Sequence, residues 1–480
     1  MRLTGKKVLV LGLGESGLAM ARWSAWCGAQ VTVADTRGQP DRLPQFQEKV
    51  PDGRFISGAF DALDLNGMDV IAVSPGLRPS VELETVLAWS AGKGVPVWSE
   101  IEMFAHALEG LAEDKGYHPA ILAVTGTNGK TTTTSLTGYM CRTAGRTVRL
   151  AGNISPAALD VLLEVIEKDE LPAVWVLELS SFQLFTTESL QPDAATVLNV
   201  TQDHLDWHGG MQAYADAKAR VFGKKTVRVL NREDDWVMAM QSPGDAVVTF
   251  GTDEPVRKGD FGLHDVNGEP WLSVGTGDGI RDLMPATALR IQGRHNASNA
   301  LAALALCRAI GLPFDPLLQA LRGYRGEPHR VELIATVGGV QYIDDSKGTN
   351  VGATLAAVQG LGKGASGRKN IILIAGGLGK GQDFSPLCGA VAANVRAVML
   401  IGQDAGIIHD ALKGTGVEQV YCDSLEQAVD RGAALAGEND IVLLSPACAS
   451  MDMFRNYAHR SQVFVAQVRK IADKVGEVQL

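Results

Sequence analysis

Residues 121–136 read ILAVTGTNGKTTTTSL: an apolar run, a glycine-rich turn with one lysine, then four threonines. No other stretch limits the fold so closely. The apolar run asks for a buried strand and the segment after the lysine for a helix, with Gly126 and Gly129 tightening the turn between them. Amides in such a turn cradle phosphate oxygens, Lys130 is placed to neutralise a β/γ-phosphate, and Thr131 to ligate Mg²⁺. The pattern departs from G-x-x-x-x-G-K-[ST], because Val124 stands where the first glycine belongs and Gly126 follows two residues later. Gly126, Thr127, Asn128, Gly129, Lys130, Thr131 and Thr132 form the expected ATP turn.

A second phosphate-type signature lies more than a hundred residues earlier, in VLVLGLGESGLAM. Gly12, Gly14 and Gly17 make G-x-G-x-x-G between a strand and a helix, where a diphosphate sits on the helix N-terminus. Asp35 ends the next strand, where an acid accepts hydrogen bonds from a ribose or another polyol. The motif leaves the ligand open among NAD, FAD and UDP-sugars, and glycines that merely close a βα turn would look the same.

At 480 residues the chain exceeds what one core serves. From residue 6 to about 110, β-branched runs (KVLVLGLG, QVTVAD, DVIAVSPG) alternate with helical patterns, which means βαβ units and a parallel sheet. EGLAEDKGYHPA, residues 109–120, reads as a polar linker. A second α/β block opens at AILAVTGTNGK, passes into a β-rich stretch at 246–292 and ends in the helix NASNALAALALCRAIG. A third block repeats the alternation through VQYIDDS, IILIAGG, AVMLIG, QVYC and IVLLSPAC. The expected fold is α/β in three domains: a Rossmann-like domain (1–112), a central P-loop ATPase-type domain (113–325) and a Rossmann-like C-terminal domain (326–480).

The net charge of −10 argues against a nucleic-acid partner. Six scattered cysteines without a C-x-x-C pair suit reduced thiols, and no run of about 18 apolar residues offers a membrane span. The start MRLTGKKVLVLGLG has too short an apolar run for a signal peptide. A soluble, cytoplasmic monomer without membrane insertion is expected.

Other residues stand where chemistry is placed. Glu178 follows the apolar run AVWVLE, the usual position of a metal-directed carboxylate in a nucleotide-binding sheet. NVTQDHLDWHG clusters Asp203, His204, Asp206 and His208. The two histidines have a zinc-pair spacing without a third ligand, which leaves an Mg²⁺-side histidine or a plain polar loop. Lys218 lies on a helical pattern and by itself reads as a solvated side chain. Asn296 and Asn299 face one side of a helix start, as a cap or as a paired-amide contact to a base.

Together GLGESG, DTR, SPG, TGTNGKTT, LELSSFQL, NVTQDHLD, AKARVF, GRHNASNALAA, PHRVE, IDDSKGTN, GGLGKGQDF and SPACASMDMFRNY resemble the Mur ligases, ATP-dependent amide-forming enzymes of peptidoglycan precursor synthesis. LELSSFQL, DDSKGTN and SPACAS are similar to the D-glutamate-adding type, and the DNPR signature of the meso-diaminopimelate-adding type is absent. The resemblance implies two nucleotides in two turns, with UDP-N-acetylmuramoyl-L-alanine and D-glutamate as substrates. Glu15, Ser16, Asp35, Thr36, Arg37, Ser74, Pro75, Gly76 and Asn153 would line the UDP-muramoyl site. Lys130, Thr131, Glu178 and His204 would serve ATP and Mg²⁺, two ions being implied. Lys218 matches a lysine that the family carbamylates, which makes it a fourth metal-side group. Asn296, Asn299, Arg330 and Asp345 would hold adenosine and phosphate. Lys347, Thr349, Lys380, Ser450 and Tyr457 would surround D-glutamate. Another amide ligase, such as a folylpolyglutamate synthase, is the alternative.

Overall fold

The computed structural model describes residues 3–291, 293–362 and 368–475, so Gln292, at the end of the β-rich stretch, lies outside the described residues. Two compact units emerge: residues 1–200, 204–288 and 298–323, and residues 201–203, 289–297 and 324–480.

The first unit holds two sheets. β1 (Lys7–Leu11), β2 (Gln30–Asp35), β3 (Arg54–Ser57), β4 (Val70–Val73) and β5 (Val97–Trp98) run parallel in the order β3-β2-β1-β4-β5. The second sheet comprises β6 (Ala120–Thr125), β7 (Val148–Gly152), β8 (Val174–Glu178), β9 (Ala194–Val197), β10 (Val227–Asn231), β11 (Val247–Phe250), β12 (Phe261–Val266), β13 (Glu269–Gly275) and β14 (Ile280–Pro285). Its order is β14-β13-β12-β11-β10-β9-β6-β8-β7. β6 to β11 pair in parallel, and β12 to β14 form an antiparallel meander joined to β11 at Phe250↔Phe261. β8 reads VWVLE and is buried along its whole length, as a strand covered on both faces must be.

Residues 109–120 are not the linker that their polarity suggested. A helix spans Glu100–Lys115, and only the residues after it connect to β6. Glu, Leu, Ala and Lys favour helix whatever their polarity. Ser99 caps the start by accepting from Glu102 N at 3.0 Å, and Gly116, in the left-handed region at φ +63°, ends it. The helix buries Ile101, Met103, Phe104 and Leu108 in a core shared with the helix Glu15–Trp26 and with Trp175 of β8. Phe104 meets Trp175 edge-on at 5.0 Å, and each ring removed from water contributes roughly 1.5–3 kcal/mol. This shared core, with an Arg22–Asp160 ion pair, fuses the first two sheets into one unit.

The second unit is one sheet of β15 (Glu332–Val337), β16 (Val340–Asp344), β17 (Ile371–Gly376), β18 (Val395–Ile401), β19 (Glu418–Tyr421) and β20 (Ile441–Leu444), ordered β15-β16-β20-β17-β18-β19. All pair in parallel except β15, which is antiparallel to β16. Separate apolar clusters cover its faces. One includes Val358 and Val391, the other Leu425, Phe464 and Val468.

Candidate functional site

The first glycine turn opens onto a cavity of about 320 Å³. Glu15, Ser16, Asp35, Thr36, Arg37, Ser74, Pro75 and Gly76 all line it, together with Gly12, Gly14, Phe60 and Leu77. Gly17 is compulsory, since a Cβ there would lie 1.9 Å from the carbonyl oxygen of Gly12. Ser74 Oγ donates to that same carbonyl at 2.7 Å, tying the turn to the end of β4. Asp35 is 2% exposed. Burial pushes its carboxyl up, but hydrogen bonds from Arg37 and from the amides of Leu13 and Arg37 win and bring it down to about 2. Both its oxygens take Arg37 nitrogens at 2.8 Å, so Asp35 enters the pocket wall as an ion pair. Phe60 and Leu77 escaped the sequence reading because isolated apolar residues carry no motif. Asn153 is not among the residues that line this cavity; its Nδ2 donates to Glu178 Oε1 at 2.7 Å.

The second turn sits at the end of β6. Gly129 has φ +84°, and a Cβ there would come within 2.5 Å of Asn299 Oδ1, which places Asn299 on the loop. Lys130 Nζ donates to the carbonyls of Gly126 (2.9 Å) and Thr127 (2.7 Å), and Thr131 and Thr132 are buried in the first turn of the helix Lys130–Thr143. Glu178 pairs in register with Val124 on the neighbouring strand. It is 2% exposed, and its Oε2 is buried without a hydrogen-bond donor. An orphaned carboxylate oxygen beside a threonine-bearing phosphate loop fits a hard, oxygen-seeking cation such as Mg²⁺.

Lys218 is not solvated. It is 1% exposed, donates to Gly126 O at 2.9 Å, and holds its Nζ 4.3 Å from the centre of the Tyr214 ring. Tyr214 Oη in turn meets Thr127 Oγ1 at 3.2 Å. His204, at φ +55°, packs edge-on against Phe182 at 4.7 Å. His208 Nε2 meets Ser181 Oγ at 2.9 Å; burial, aided by the Lys218 charge, holds its imidazole down to about 4. Among the described residues neither histidine joins a group of three His, Cys, Asp or Glu ligands, so the zinc reading finds no third partner.

In the second unit the carboxyl ends of β16, β20 and β17 lie side by side, the place where open α/β sheets bind ligands. Asp345 follows β16. Burial pushes its carboxyl up to about 7, against a 2.7 Å hydrogen bond from Ser445 and the Arg330 charge. Lys347 Nζ stands 5.3 Å from the Tyr457 ring centre, and Thr349 N donates to Lys347 O. Leu378 and Ala449 exchange backbone hydrogen bonds of 2.9 Å, which brings the loops bearing exposed Lys380 and buried Ser450 together. Asn296 is 9% exposed in the first turn of the helix Arg294–Ala309.

Residues 6–98 match the Mur ligase MurD-like, N-terminal domain; residues 124–307 the Mur ligase middle domain; and residues 329–448 the Mur ligase, glutamate ligase domain. The UDP-N-acetylmuramoylalanine–D-glutamate ligase of Ralstonia nicotianae is 55% identical over 489 residues, 97% of each chain. This chain belongs to the Mur ligase family. The enzyme of the same name from Paraburkholderia phymatum is 54% identical over 97% of this Mur ligase and 96% of its own length. Two solved Thermotoga maritima structures share the fold. The UDP-N-acetylmuramate-alanine ligase has TM-score 0.59 at 21% identity, covering 97% of this chain and 99% of its own. The MurF ligase in complex with ADP has TM-score 0.60 at 16% identity, covering 98% and 99%.

One buried residue of this Mur ligase had no sequence signal at all. Arg460, inside the helix Tyr457–Val475, reads as a solvated helical cation, yet it is fully buried. It donates to Ser346 Oγ (3.1 Å), Ser346 O (2.8 Å) and Cys448 O (3.1 Å), so it cross-links the loops after β16 and β20. Burial pulls its guanidinium down to about 10.

Proposed function

We propose that this Mur ligase joins D-glutamate to UDP-N-acetylmuramoyl-L-alanine in the cytoplasm, with ATP converted to ADP and phosphate. The observation that carries the reading is the pair of nucleotide turns with different chemistry in one unit. One is a cavity with a neutralised acid in its wall; the other is a lysine-bearing loop beside an orphaned carboxylate oxygen. Relatives 55% identical over 97% of the chain bear the D-glutamate ligase name, which disfavours the folylpolyglutamate alternative. The proposed domain limits are 1–112, 113–325 and 326–480, in a monomer.

The alanyl carboxylate attacks the γ-phosphorus of ATP, giving an acyl phosphate and ADP. The D-glutamate amine then adds to the acyl carbon, and the tetrahedral intermediate expels phosphate. Gly126 to Thr132 hold the phosphate chain, and Lys130 balances the charge that builds on the transferred group. Asn296, Asn299, Arg330 and Asp345 hold adenosine and phosphate. Thr131, Glu178, His204 and a carbamylated Lys218 would hold two Mg²⁺ ions, which when bound screen the gathered anions. Glu15, Ser16, Asp35, Thr36, Arg37, Ser74, Pro75, Gly76 and Asn153 position the UDP substrate. Lys347, Thr349, Lys380, Ser450 and Tyr457 position D-glutamate.

Lys130→Ala separates the two turns. Turnover should fall at least ~1,000-fold while calorimetric affinity for the UDP substrate stays within about twofold. Joint loss of both would sink the two-turn assignment.

A further inference from the structure

Parallel pairing between β6 and β9 ends at Thr125↔Val197, yet the contact between the two chains continues. Leu198 N donates to Thr125 O at 2.9 Å, and Thr127 N donates to Asn199 O at 2.9 Å. Gly126 lies flat against this segment: a Cβ there would stand 3.0 Å from Leu198 Cβ and 3.1 Å from Leu198 N. The Asn199 side chain carries the contact on to the next residue of the loop. Its Oδ1 accepts from Asn128 N at 2.8 Å and its Nδ2 donates to Asn128 O at 3.1 Å. We propose that Asn199 is a positioning residue for the ATP loop, its amide replacing the next peptide group of the ladder and fixing the orientation of the Asn128 peptide.

A carboxamide of this length is the side chain that offers a donor and an acceptor side by side at that reach. Aspartate lacks the donor, serine the second group, and glutamine is one methylene too long. The segment itself is anchored from behind. Asn231 Nδ2 donates to Leu198 O at 2.9 Å, and Val200 N donates to Asp234 Oδ2 at 2.8 Å. Asn199 therefore transmits the rigidity of β9 and β10 to the turn that leads into Gly129 and Lys130. It does so without being one of the nucleotide's contacts. Loop amides aimed in advance lose less on binding phosphate than amides that must first be ordered.

The inference rests on the ATP reading of this loop, and the test separates the two. Wild-type protein, Asn199→Ala and Asn199→Asp are titrated with Mg²⁺ and a non-hydrolysable ATP analogue, and separately with the UDP substrate. Both variants should bind the analogue roughly tenfold or more weakly and raise the KM for ATP to match, with UDP-substrate affinity within about twofold. Lowering the pH should recover analogue binding in Asn199→Asp but not in Asn199→Ala, because a protonated carboxyl restores the donor to Asn128 O. A role in general stability would not move these differences. Analogue affinity unchanged in both variants, equal weakening for both ligands, or identical pH profiles would overturn the proposal. Hydrogen exchange on the nucleotide-free wild type adds a measurement that needs no variant. The Thr127 and Asn128 amides should exchange slowly, and exchange at open-loop rates would also overturn it. A wild type that binds no ATP analogue at all would remove the ATP assignment first.

Discussion

Lys218 and Glu100 are buried ionisable side chains with opposite consequences. The ammonium of Lys218 faces the Gly126 carbonyl and the Tyr214 ring, two groups that favour a cation. A cation in that place would repel an Mg²⁺ held at Glu178, whereas a carbamate on Lys218, as proposed, would offer it an oxygen ligand. Lys218→Ala should fold, by circular dichroism, yet be nearly inactive, and acetate or formate at high concentration should restore part of the turnover. Chloride at equal ionic strength should not, which controls for screening. Full activity in Lys218→Ala would return the residue to a packing role. Glu100 is 0% exposed at the start of its helix, with Oε1 accepting from Leu159 N at 2.6 Å and Oε2 buried without a partner. Burial raises its carboxyl from 4.5 to about 7, chiefly by desolvation. A folded-state value above the unfolded one means that its contribution is fully present below pH 4.5 and lost as pH rises through 7. Wild type should therefore lose up to about 3 kcal/mol between pH 5 and 8 through this group. Glu100→Gln, the isostere of the protonated form, should flatten that part of the denaturation profile. Parallel profiles would show that Glu100 stays ionised.

At the scale of elements, the loop between β6 and its helix depends on glycines for two separate reasons. Gly129 sits at φ +84°, and its missing Cβ is the space that Asn299 Oδ1 occupies. Gly129→Ala should reduce ATP turnover at least ~100-fold and displace Asn299 without unfolding the unit, since the strain is confined to one turn. Near-normal KM and kcat for ATP would mean that the loop relaxes freely. These glycines were legible in the sequence because backbone geometry forbids most alternatives. Gly12, Gly14 and Asp35 were legible from the strand–turn–helix pattern, whereas Glu15, Ser16, Thr36, Arg37, Ser74, Pro75 and Gly76 came only from the resemblance to the family. Phe60, Asn199 and Arg460 were not. Their roles arise from neighbours distant in sequence, and each residue type is common in plainly structural settings. The supposed linker failed for a related reason, because residues 109–115 carry strong helix propensity under a polar surface.

At the scale of the whole molecule, three successive α/β blocks followed from the alternation of apolar runs and helical patterns, but the strand order within each sheet did not. The grouping of the first two into one unit did not, because that depends on a core built from the helices Glu15–Trp26 and Glu100–Lys115. The central claim is that this chain spends ATP to attach one particular amino acid to one particular sugar nucleotide. Phosphate release from ATP, measured with UDP-N-acetylmuramoyl-L-alanine and each of D-glutamate, L-glutamate and meso-diaminopimelate, tests it most directly. D-Glutamate alone should support turnover, with release near background for the other two and for D-glutamate without the sugar nucleotide. Equal turnover with L-glutamate, or phosphate release that ignores the sugar nucleotide, would contradict the account.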